Sequence, residues 1–128
     1  MKVNIPASTG ELFDKITILE IKKEKINDSI KRVQINKELN LLKEIARKNK
    51  LRTRKTSPII KKLKLINIKL WNVEDKLRKL EKEKVFKEEF IKLARNVYFM
   101  NDKRSVFKNE INIISKSQIV EVKSYEKY

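Results

Sequence analysis

The stretch SPIIKKLKLINIKLWNVEDKLRKLEKE, residues 57–83, decides the fold. Within it Ile59, Leu63, Ile66, Leu70, Val73, Leu77 and Leu80 alternate four and three apart, the spacing that keeps one apolar seam on a single helix face. Ser57 and Pro58 mark its start, because proline at the first helical position gives up no needed hydrogen bond. Outward from it, Phe86, Phe90, Leu93, Val97, Met100, Phe107, Ile111 and Ile114 follow the same rule with one gap, after a short step from Leu80 to Phe86. That phase slip places a turn near Lys84 and predicts two antiparallel helices of ~40 Å each.

Toward the N-terminus, Ser8 and Glu11 stand in capping-box spacing, with the serine hydroxyl placed for the orphan amide of Glu11 and the carboxylate reaching back. Asn27 and Asp28 then favour local side-chain bonds over continuation, and Asp28 caps a second helix. The predicted helices are residues 9–26, 29–47, 58–83 and 87–115, with a basic loop at 48–57. One glycine and two prolines are too few for a sheet-rich chain with many tight turns. At the ends, Val3 and Ile5 alternate with polar residues, as do Val120 and Val122, so residues 2–5 and 118–123 read as short strands. A lone two-stranded ribbon is marginal in water, so the two are expected to pair and lie against the helices. The predicted architecture is one mostly all-α domain over residues 1–128. It is an antiparallel bundle of about four helices built on a long helical hairpin, with a terminal β-ribbon.

Composition removes several function classes. There is no cysteine and no histidine, which excludes a disulfide framework, the usual zinc sites, a cysteine nucleophile and an imidazole base. No metal and no cofactor are expected. No stretch approaches the apolar length of a membrane span, and the first fifteen residues lack a leader's apolar core, so a cytoplasmic protein without a membrane partner is expected. Lys and Arg number 33 against 17 Asp and Glu, a net charge of +16 that attracts nucleic acid, anionic lipid or acidic proteins. The same balance also follows from an A- and T-rich coding bias, which loads a chain with Lys, Ile and Asn and makes it basic without a basic ligand.

The densest charge lies between Glu44 and Glu74, where no acid interrupts a run of Lys and Arg over residues 47–69. Arg47, Lys48, Lys50, Arg52, Arg54 and Lys55 are candidates for tracking phosphates, a binding mode that weakens steeply with salt. Against it, no aromatic residue interleaves with this run before Trp71 to stack a base, and a solvated loop explains the same residues.

A sharper feature appears when the helices are plotted at about 100° per residue. Arg104 falls at the centre of the last helix's apolar seam, with Lys108 and Asn101 within about 60° of it. Buried charge is very costly unless paired, so something must answer these groups. Glu20, in the first helix's apolar arc between Phe13 and Ile16, and Glu74, beside Asn67 and Trp71, are the acids expected to do so. The plain reading is an internal ion-pair network that fixes helix register. The functional reading is a pocket between helices in which Arg104 and Lys108 grip a small anion, with Lys15, Tyr98 and Trp71 completing the candidate set. The first helix is apolar on two sides, since Ile18 and Ile21 point away from the arc of Leu12, Ile16, Leu19 and Ile26. Such a helix is either central in the monomer or shared in a homodimer.

Several of these residues fall into a pattern. Gly10-Glu11-Leu12, Asp14-Lys15 and Thr17-Ile18-Leu19-Glu20-Ile21-Lys22 resemble the opening of a family of small bacterial proteins known only as a domain of unknown function. Leu70-Trp71, Glu74-Asp75, Leu93-Ala94-Arg95, Val97-Tyr98, Asn101-Asp102, Arg104, Ile111-Asn112 and Val122-Lys123-Ser124-Tyr125 continue the resemblance. It implies a complete domain and no stated activity. It also implies that the run from Arg47 to Ser57, which the motifs skip, is a local embellishment. The family pattern carries glycine or proline near Lys84, and this sequence has neither.

The expected function is a binding or interaction module built around the polar cluster, with a small anion and a second copy of the chain as candidate partners. The alternatives are sequence-tolerant nucleic-acid binding through the basic segment, and an enzyme that stabilises a small anionic metabolite with Lys, Arg and Glu.

Overall fold

The computed structural model describes residues 1–128 and contains four helices. These are α1 (Thr9–Lys25), α2 (Ser29–Lys48), α3 (Ser57–Lys82) and α4 (Glu88–Ser115). α3 and α4 form the hairpin, ~39 Å and ~42 Å long for 26 and 28 residues. None of the helices is long and apolar enough to cross a membrane.

α1 is the axis of the molecule, packing against each of the other three helices, whereas the backbone of α2 lies against α1 alone. Phe13, Ile16 and Leu19 of α1 meet Ile35 and Leu39 of α2, Ile60, Leu63 and Ile66 of α3, and Ile111 of α4 in one core. Each fully buried aliphatic or aromatic side chain here contributes about 1.5–3 kcal/mol. The second apolar side of α1 is used within the same chain, since Ile21 is as buried as Ile16. Its two-sidedness therefore no longer calls for a second copy.

The hairpin outruns α1. Beyond Val73 no residue of α3 is buried, and before Lys108 none of α4 is. Leu77, Leu80, Phe90 and Val97 continue the predicted seam but stay half-buried, because two helices without a third can cover only one stripe each.

Helix ends show how a chain with a single glycine turns. Lys50, Lys84 and Lys116 all take the left-handed conformation, with φ of 51°, 57° and 55°. After each, a backbone N–H reaches five residues back: Leu51 to Ala46 at 3.1 Å, Val85 to Leu80 at 2.9 Å and Ser117 to Asn112 at 2.9 Å. This is the Schellman arrangement, which ordinarily recruits glycine; here lysine fills the position three times.

The terminal ribbon does not form. No strand is present, and Val3, Ile5, Val120 and Val122 are all more than half exposed. The two ends diverge: Met1 and Lys2 border a hollow with Gln34, Lys37 and Leu41 of α2, while the C-terminal tail runs along α4 as far as Asp102. The alternation of four or five residues was too weak to outweigh these separate attachments, and an isolated ribbon has little stability of its own.

Candidate functional site

The first turn of α1 sets the geometry. The Ser8 hydroxyl accepts the Glu11 N–H at 3.0 Å, forming half of the expected capping box. The Glu11 carboxylate, rather than closing the other half, reaches the Lys108 ammonium at 2.9 Å. Two residues on from the cap, Gly10 lies so close to α4 that a Cβ there would sit 2.3 Å from the Lys108 carbonyl oxygen. Its N–H donates to Asn112 Oδ1 at 2.7 Å. The stripe Gly10, Asp14, Thr17, Ile21 then faces inward at helical spacing, and all four residues are buried.

Asp14 is the centre of the polar cluster, with 1% of its surface exposed. Arg104 grips it in a fork, Nε donating to Oδ1 at 2.8 Å and Nη2 to Oδ2. Asn67 Nδ2 donates to Asp14 Oδ1 and to Thr17 Oγ1, both at 3.0 Å, and the Thr17 hydroxyl in turn donates to the Asp14 carbonyl at 2.9 Å. Asn101 Oδ1 takes the remaining Arg104 Nη1 at 3.4 Å. The hydrogen bonds that Arg104 donates to Asp14 raise the arginine's pKa against the burial that lowers it, so the guanidinium stays charged.

One turn further along α4, Lys108 is held between Glu11 and Glu121, the latter at 3.0 Å. Burial pulls the ammonium pKa down, but the hydrogen bonds the ammonium donates to the two carboxylates outweigh this and the net direction is up. For Glu121, burial pushes up while Lys108, with Lys123 at 3.4 Å, holds the carboxyl below its usual value. Each buried or half-buried cation of this cluster thus already has an acid from the same chain.

The acids expected to answer Arg104 do not. Glu20 faces Lys64 at 3.8 Å, and Glu74 faces Arg78 at 4.0 Å on an exposed flank. Lys15 is half-exposed and 4.0 Å from Glu38. Tyr98 lies outside the cluster, its ring 5.4 Å from that of Tyr128. Sequence reasoning missed Asp14. Its signal was there in the second apolar side of α1, because Asp14 falls on the same stripe as Gly10 and Ile21.

Above the Asp14–Arg104 pair lies an open cleft of about 460 Å³ between α1, α3 and α4. Ile18 and Ile21 form its apolar side, Trp71, Glu74 and Asp75 come from α3, and Asn101 and Arg104 from α4. In the basic segment, Arg47 Nε donates to Glu44 at 3.0 Å and Arg52 lies 5.5 Å over the Phe13 ring centroid. Lys48, Lys50, Arg54 and Lys55 are exposed.

No curated protein and no solved structure matches the chain. A family model does match, from residue 1 to residue 128, across both the motif residues of the resemblance and the basic segment they skip. The chain belongs to the family of unknown function DUF6165.

Proposed function

We propose that the chain is a binding module whose ligand site is the cleft between α1, α3 and α4, and that its ligand is a small zwitterion. The carrying observation is the charge left over in that cleft. Asp14 consumes Arg104, which leaves Glu74 and Asp75 against Arg78. Asp75 makes no ion pair, and the Glu74–Arg78 pair is wide and exposed, so a ligand can split it at little cost. Acids and a base side by side, next to the Trp71 indole, match an ammonium and a carboxylate on one molecule better than a lone anion. The volume falls in the range of about 300–1,000 Å³ common for small-molecule sites. All lining residues but Asn67 and Arg78 are among those that carry the family resemblance.

Trp71 is the only tryptophan, so its fluorescence reports on this cleft alone. Titration with the non-aromatic free amino acids is expected to give a saturable shift for at least one of them, lost in the Glu74→Gln/Asp75→Asn variant. Spermidine and inorganic phosphate, as pure cation and pure anion, are expected to give none. A response to phosphate alone would overturn the zwitterion reading.

A further inference from the structure

A second cavity, of about 530 Å³, opens on another face of α1, against α2 and the loop after it. Phe13, Ile16 and Ala46 lie beneath its floor and are themselves buried. Its rim carries Lys43 and Arg47 from α2 and Lys50 and Arg52 from the loop. Glu20 is the one acid among the lining residues, and it is drawn to Lys64. Lys43, Lys50 and Arg52 make no ion pair, so only Arg47 is answered, by Glu44.

The loop that brings these cations together is built. Thr56, with no exposed surface, donates its hydroxyl to the Leu51 carbonyl at 3.1 Å and accepts the Thr53 N–H at 2.8 Å. The Leu51 N–H closes the end of α2 on Ala46. Arg52 rests over the Phe13 ring, which fixes its guanidinium at the edge of the floor. Four cations held around one concavity repel each other, and the arrangement gains most from a ligand with several negative charges.

We propose that this cleft binds a small molecule carrying two or more phosphate groups. Arg52 offers a planar fork that suits phosphate oxygens, and Lys43 and Lys50 add unpaired point charges beside it. The cations converge on a concave floor instead of lining a track, and no exposed aromatics interleave with them, which favours a compact ligand over a nucleic-acid strand. This site is separate from the zwitterion cleft and shares no residue with it.

Calorimetric titration of the whole chain with tripolyphosphate and with adenosine triphosphate tests the assignment. Both are expected to bind one to one. The Lys43→Gln/Lys50→Asn variant, in which asparagine tolerates the left-handed position, is expected to lose about tenfold in affinity while keeping its helical circular dichroism. The Lys61→Gln/Lys62→Gln variant removes the same charge from the exposed face of α3, and is expected to stay within about twofold. Equal weakening in both variants, or no saturable binding, overturns the proposal. So does a single-stranded oligonucleotide that binds where tripolyphosphate does not.

Discussion

Gly10 and Asn112, 102 residues apart, hold the start of α1 against the end of α4 through one buried hydrogen bond of 2.7 Å. The contact needs glycine for space rather than for conformation, since its φ is not positive. A methyl group there would press into the α4 backbone, which cannot step aside as a flexible side chain would.

Gly10→Ala is therefore expected to destabilise the protein by about 3 kcal/mol, the upper part of the range for overpacking a tight site. Urea denaturation checks this. Thr9→Ala, one residue away, is the control and is expected to cost far less.

The lysine at the hairpin turn makes the opposite prediction. Lys84 sits at φ 57°, a conformation that costs a side-chain-bearing residue roughly 1 kcal/mol and glycine almost nothing. Lys84→Gly is expected to raise stability by about that amount, and Lys84→Val to lower it by more. Thermal melts of the two variants decide between them.

Acid is expected to release the C-terminal tail. Glu121 titrates below its ordinary 4.5 in the folded chain, so its pairing with Lys108 stabilises the docked tail above that pH and is lost as the pH falls through the folded value. Lys108, raised above 10.5, gives the mirror limit: its contribution is present below that pH and is lost as the pH rises through the folded value. Amide signals of Val120 and Val122, followed by NMR between pH 3 and pH 7, are expected to turn mobile toward the acid end. In Lys108→Met they are expected to be mobile throughout.

Much of the fold was legible because its signals are local. Ser8 and Asp28 cap the helices they were expected to cap, and Pro58 stands in the first turn of α3. The phase slip between Leu80 and Phe86 marks the turn at Lys84. The ribbon failed because pairing of the termini is a long-range event, and four alternating residues say nothing about where a chain end travels. The site was half legible for the same reason. That Arg104 required an acid follows from its place in an apolar seam, but which acid depends on how α1 is rotated against α4. Gly10 sets that rotation by allowing close approach, and it presents Asp14 instead of Glu20. The charge left over in the cleft could be counted only once that partner was known.

The pairing of Asp14 with Arg104 carries the account, and a double-mutant cycle measures it directly. Asp14→Asn and Arg104→Met are each expected to lose about 3 kcal/mol in urea denaturation, because each leaves a buried charge without its partner. The double variant is expected to lose well under the sum, with a coupling of about 2 kcal/mol or more. Single losses that add to within about 0.5 kcal/mol would contradict the account, since Arg104 would then be answered by something other than Asp14.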